Sequence, residues 1–282
     1  MPSIRRPAVA GGFYPLDEAR LRAEVARHLA QAGRTGEGAP PKLVVVPHAG
    51  YVYSGPVAAH AYAALAPLRG RIRRVVLLGP THRVPVRGLA APGVDAFETP
   101  LGRVPIDREA LEGLAGLPQL VQSDAAHAFE HSLEVQLPFL QTVLGEFALV
   151  PLAVGAARPD EVAAVIDRLW GGDETLVVVS TDLSHYLPQA LARETDAATV
   201  GRILALDATI SHDEACGATP LNGALGVARA RGLQARLLDL RTSGDTAGDP
   251  SRVVGYCAIV FSKVGGEGPG DRDAGAATPR MG

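Results

Sequence analysis

Three aliphatic runs, KLVVV (42–46), RRVVLLG (73–79) and TLVVVS (175–180), each give out within a few residues of a histidine: His48, His82 and His185. Short runs without polar alternation belong to strands covered on both faces, the signature of a largely parallel sheet clad by helices. In an open sheet of that kind the carboxyl ends of the strands share one edge, where ligands usually sit. The three imidazoles are therefore expected on one edge, with Asp182 at the end of the third strand. Cys216, in DEACGATP just before another helical segment, is a fourth candidate. The expectation is one polar pocket built from His48, His82, Cys216 and His185 around a metal ion.

The intervening chain alternates helical and extended patterns. Leu21, Val25 and Leu29 repeat at helical spacing behind Asp17, and Ser54 is placed to cap a helix after the first strand. DAFETPLGRVPID reads as a hairpin broken at Pro100 to Gly102, followed by a short helix started by Asp107. Residues 123–145 read as a helix with Leu133, Leu137, Leu140 and Leu144 on its apolar side and His127, His131 and Glu134 on its polar edge. FALVPLAVG is a further strand, RPDEVAAVIDRLW a helix, and LQARLLDLRTSG with RVVGYCAIVFS a closing pair of strands. No internal repeat period is present. The pattern predicts α/β: a single three-layer α/β/α domain over residues 1–262, with a mostly parallel or mixed central sheet. The glycine-rich residues 263–282 lack a core-forming pattern and are expected to be a flexible tail.

Composition narrows the function. At 47% apolar and 20% charged the chain can bury a sizeable core, and a formal charge of -3 without a basic patch argues against nucleic acid. No apolar run reaches the ~18 residues of a membrane span, and the N-terminus lacks a signal-peptide core, so a soluble cytoplasmic protein is expected. Two cysteines make no disulfide framework; Cys257 reads as a buried apolar side chain, while Cys216 sits among Asp213, Glu214 and Gly217. A homodimer is compatible with the sequence, although no motif identifies an interface.

Imidazole and thiolate together suit zinc, copper or iron better than calcium or magnesium. His48, His82 and Cys216 are too far apart in sequence for a local zinc-finger code and must meet through the fold. His185 is cast as an acid or base, oriented by Asp182 if STDLSH forms a turn. His131 and Glu134 are candidates for substrate binding or for steadying a ligand, and Tyr51, Tyr53 and Tyr186 for lining the mouth. His212 is an alternate ligand ranked below His48 and His82. The competing readings are loop histidines satisfied by backbone, Asp182 or Ser184 as a cap, an ordinary His131–Glu134 surface pair, and a covalent cysteine enzyme using Cys216. HAGYVYSG is not a phosphate loop, and no GxGxxG follows the first strand.

The ordered stretches PAVAGGFYP, VPHAGYVYSG, LLGPTH, HSLEVQLPF, STDLSHY and ACGATP together resemble the Memo (MEMO1-like) family, known in prokaryotes as protein B of the AmmeMemoRadiSam system. That family is similar in fold to the class III extradiol ring-cleaving dioxygenases. The resemblance implies that His48 and His82 are metal-binding histidines, that Cys216 takes the remaining ligand position, and that His185 is the acid or base. Ring-cleaving enzymes carry a carboxylate where this chain has Cys216, so their metal and reaction do not transfer directly. The resemblance implies one metal ion, iron first, then copper, then zinc, and redox or oxygen chemistry on an unnamed small molecule or modified residue. It also implies an alternative, a noncatalytic metal-dependent peptide-binding or adaptor protein, and functional association with radical SAM and AMMECR1-type proteins.

Overall fold

The aliphatic runs do form the centre of the molecule. A computed structural model describes residues 3–33 and 38–263; the expected tail, apart from Lys263, lies outside the described residues. In chain order the first elements are β1 (Ile4–Arg5), α1 (Glu18–Ala32), β2 (Leu43–Val46), α2 (Tyr51–Ala64), β3 (Arg74–Pro80), β4 (Leu89–Ala91), β5 (Ala96–Thr99) and β6 (Gly102–Pro105). Then follow α3 (Arg108–Glu112), β7 (Leu120–Gln122), α4 (Asp124–Ala128), α5 (Leu137–Leu144), β8 (Ala148–Val154), α6 (Pro159–Leu169), β9 (Thr175–Ser180) and β10 (His185–Leu187). The last are α7 (Gln189–Leu204), α8 (Ala218–Ala230), β11 (Leu233–Thr242), α9 (Ser243–Thr246) and β12 (Val253–Lys263).

The main sheet runs β10-β12-β2-β9-β3-β8-β4-β7, with β11 paired to β12. Its centre, β2-β9-β3-β8, is parallel, in the register Leu43↔Val177, Val75↔Leu176 and Val75↔Leu149. Every side chain of β2 and β9 is buried, as expected of strands covered on both faces. Antiparallel β12 and β4 flank this centre and make the sheet mixed. Helices α1, α2 and α5 pack together, α2 lying on β2 and β12, while α6 and α8 pack together with α8 on β3 and β9. The result is an α/β/α sandwich. A smaller sheet, β1-β5-β6, contains the expected hairpin. No described helix is long and apolar enough to cross a membrane.

Side-chain caps start several of the helices. Asp17 accepts the N–H of Arg20 at 2.9 Å to start α1, and Asp107 accepts that of Ala110 at 2.9 Å to start α3. Two expectations fail. Ser54 does not cap α2, which already begins at Tyr51; its hydroxyl instead donates back to Ala49 O at 2.8 Å. Residues 123–145 are not one helix but α4, a short 3-10 turn at Glu134–Gln136, and α5. The break lies at Glu130, whose carboxylate accepts the backbone N–H groups of His131 and Ser132, each at 2.9 Å. An amide donated to a side chain is lost to the helical ladder, and the chain turns there.

Candidate metal centre

His48 follows β2 and is 2% exposed. Its backbone N–H donates to Asp182 Oδ1 at 2.7 Å, and its ring Nδ1 lies 2.8 Å from Ser180 Oγ. The Ser180 hydroxyl has one proton, which goes to Ser132 O at 2.6 Å, and the same oxygen accepts from Gln136 Nε2 at 2.9 Å. Nδ1 of His48 must then be the donor, which leaves Nε2 as a bare lone pair. Beyond β3, His82 Nδ1 lies 2.9 Å from Glu130 Oε1, an acceptor only, so its Nε2 is bare as well. His185 repeats the device with Nδ1 2.8 Å from Leu183 O. Three imidazoles from three strand ends thus share one tautomer.

Ring nitrogens of His48, His82 and His131 lie within 4.8 Å of one another, a grouping that could hold a metal ion. The rings of His48 stand edge-on to His82 and His131, with centroids 5.2 and 5.5 Å apart, and His131 stacks on His82 at 4.6 Å. Cys216 Sγ lies 3.3 Å from His48 Nε2 and 3.4 Å from the Asp182 backbone N–H. These four side chains and His185 line a cavity of about 800 Å³, with Tyr186, 62% exposed, also on its wall.

The electrostatics favour a cation. Burial holds His48 well below its ordinary pKa, with the neighbouring His82 and His131 adding to the effect, and burial brings His131 to about 4. Burial lowers His185 too. Glu130 is pushed upward by burial, yet hydrogen bonds from the His82 ring, the His82 N–H and the Ser132 N–H hold it to about 2. Burial, reinforced by Asp182, raises the Cys216 thiol to about 12, and burial raises Asp182 to about 7 against the His48 N–H. At neutral pH the pocket therefore offers the neutral rings of His48 and His131, one fixed carboxylate beside His82, and a thiol that ionises when a cation arrives.

Several expected roles change. His131, read as a substrate residue, stands beside His48 and His82, because the broken helix turns it inward. Cys216 touches His48 but lies outside the group of three mutually close nitrogens. Glu134 is 0% exposed and cannot bind substrate. Its Oε2 accepts from Arg5 Nη1 at 2.5 Å and Ala8 N at 2.8 Å, and its Oε1 from Tyr14 Oη at 2.6 Å and Val9 N at 3.0 Å. Tyr51 is a core residue whose hydroxyl donates to Val135 O at 2.7 Å, not a mouth residue. Asp182 does not orient His185, which bonds Leu183 O; it fixes the His48 backbone. His212 bonds Cys216 O and Thr219 Oγ1 at the outer edge.

Glu130, Ser180 and Gln136 were not anticipated, although they set the tautomers of His82 and His48. The available hint was Glu130 beside His131 in FEHSLEVQ. Replacing Glu130 by glutamine is expected to weaken metal binding about 10- to 100-fold, since partners of ligand imidazoles carry that much affinity. Competition against a chelator of known strength measures it, and an affinity within a factor of two of the parent would deny Glu130 the role.

Residues 5–260 match the profile of a family described as Memo-like protein. A MEMO1 family protein of Methanopyrus kandleri is 42% identical, the alignment covering 92% of this chain and 99% of that one. Counterparts in Sulfolobus acidocaldarius and Aquifex aeolicus are each 37% identical with the same coverage, 92% and 99%. Among solved structures, an uncharacterized protein of Escherichia coli K12 covers 77% of this chain and 98% of its own at a TM-score of 0.49 and 14% identity, a likeness too loose to carry an argument.

Proposed function

Because the chain belongs to the Memo-like protein family, we propose that it is a metal-dependent oxidoreductase in which His48, His82 and Cys216 hold a single ion and His185 moves protons. The observation that supports this most directly is the pair of imidazoles held as Nδ1–H donors, with the His48 Nε2 lone pair 3.3 Å from the half-buried Cys216 sulfur. Imidazole and thiolate donors together suit iron, copper or zinc, and the family resemblance ranks iron first, copper next and zinc third. Once bound, the ion would supply Lewis acidity and a one-electron couple for redox or oxygen chemistry.

The chain's own groups do the rest. Glu130 aims the His82 ring and keeps negative charge behind it. The Ser180–Gln136 pair does the same for His48 without a charge. Cys216 contributes an anion only when it gives up its proton, helped by the nearby Asp182 N–H. His131 stands ready as a neighbouring donor. His185 Nε2 can accept a proton from bound substrate near neutral pH and return it. Tyr186 offers a stacking surface for a small molecule or modified residue within the cavity.

Anaerobic loading with iron(II), followed by oxygen and a panel of oxidisable small molecules, tests the reading. Product formation should fall about 100-fold or more in His185→Gln while bound iron stays the same. Full metal occupancy with no turnover of any substrate by the parent protein would favour a noncatalytic binding protein instead.

A further inference from the structure

Helix α7 carries a carboxylate whose place in the fold is not explained by the core. Asp196 is 1% exposed, and among the described residues no cationic side chain pairs with it. Its Oδ1 accepts the backbone N–H of Ser184 at 3.0 Å, while Oδ2 has no hydrogen-bond partner. Gly255 of β12 leaves room for it: a Cβ there would lie 1.8 Å from Asp196 Oδ2. A buried, unpaired carboxyl is an expensive way to fill space, so its one backbone contact carries the question of its use.

That contact falls on a special peptide unit. The N–H of Ser184 and the C=O of Leu183 are opposite ends of one rigid trans plane. One end bonds Asp196, and the other accepts His185 Nδ1–H at 2.8 Å. The flanking planes are already held by β12, with Leu183 N–H donating to Gly255 O at 2.8 Å and Gly255 N–H donating to Ser184 O at 2.9 Å. Between two pinned neighbours, the Leu183–Ser184 plane is the remaining rotor. If it turned over, the carbonyl would leave the His185 ring. Tyr186, next along, sits at φ +62°, a conformation costly for a tyrosine that persists only where its surroundings impose it.

We infer that Asp196 is a positioning residue for His185: by locking the Leu183–Ser184 peptide plane it fixes the Nδ1–H tautomer and keeps the Nε2 lone pair free for the cavity. This rests on the proton-transfer role proposed for His185, but its test reads the ring directly. With ¹⁵N-labelled histidine at pH 7.5, long-range ¹H–¹⁵N spectra should show His185, assigned by its absence in His185→Asn, as the Nδ1–H form. Asp196→Ala should convert it to a mixture rich in the Nε2–H form that free histidine favours, with the signals of His48 and His82 unmoved. Asp196→Asn, whose carbonyl can still accept from Ser184, should restore the parent spectrum. Asp196→Ser, which keeps a small polar side chain but is too short to reach, serves if the alanine variant does not fold. A His185 that stays Nδ1–H in a folded alanine or serine variant, or that is already Nε2–H in the parent, overturns the inference. A tautomer that shifts without any change in turnover leaves the positioning intact and removes the acid–base role of His185.

Discussion

Alanine at His48 is expected to weaken metal binding by at least about 100-fold, the largest single loss at the centre, since it removes a ligand outright and not merely a partner of one. His48 belongs to both ligand sets, the three histidines and the histidine pair with Cys216. Its ring nitrogen belongs to the group with His82 and His131, and its Nε2 lies 3.3 Å from the Cys216 sulfur. Its ring is also prepared for a cation, with the backbone fixed by Asp182 and the tautomer by Ser180. Dialysis against graded chelator followed by elemental analysis measures the loss; an alanine variant retaining stoichiometric metal at the parent's affinity would remove the centre from this pocket.

Proton bookkeeping separates the ligand sets. A thiol held up at about 12 by burial must release its proton to become a ligand, so metal uptake at pH 7.5 should free one proton per ion through Cys216. His48 and His131 free none, because His48 is held well below its ordinary value and His131 at about 4. Calorimetry in buffers of different ionisation enthalpy counts the protons, and Cys216→Ala should lower the count by one. Protons compete for the His131 ring only as pH falls toward about 4, whereas they compete for the Cys216 sulfur at every pH below about 12.

The sheet was legible because its signal is redundant. Each of the central strands is an uninterrupted aliphatic run, and the side chains just past their carboxyl ends must share an edge whatever the loop details. That logic brought His48, His82, Asp182 and His185 to one pocket. It failed where a role depends on which way a loop turns. Leucines spaced three and four apart made 123–145 look like a helix, and such a helix would present His131 and Glu134 together. Glu130 instead draws the N–H groups of His82, His131 and Ser132 onto its carboxylate, which turns His131 inward and sends Glu134 to the core. No periodicity encodes that exchange of helical amides for a side-chain acceptor. Asp182 and His185 were paired on spacing, yet β10 starts at His185, so the chain there is extended and the two side chains take different partners.

Alanine at Glu134 is expected to destabilise the fold by about 3–5 kcal/mol, the usual penalty for stripping one partner from a buried ion pair. The side chains of Arg5 and Glu134 are 5% and 0% exposed, so the orphaned guanidinium would have no water to turn to. The same substitution leaves the N–H groups of Ala8 and Val9 and the Tyr14 hydroxyl without their acceptor. Urea unfolding should show the loss as a lower midpoint at unchanged slope. A drop below about 1 kcal/mol would mean that the segment from Arg5 to Tyr14 is anchored by something else. Joint replacement, Arg5→Met with Glu134→Leu, should cost less than the sum of the two single changes, because it leaves neither charge behind. The metal centre gives this network its second consequence. Arg5 also donates from Nε to His127 O at 2.8 Å and from Nη2 to Glu130 O at 2.7 Å, bracing the turn that aims Glu130 at His82. The double variant, stable but without that brace, should therefore bind metal more weakly than the parent, and by less than Glu130→Gln, since it loosens the carboxylate's mounting but leaves the carboxylate itself.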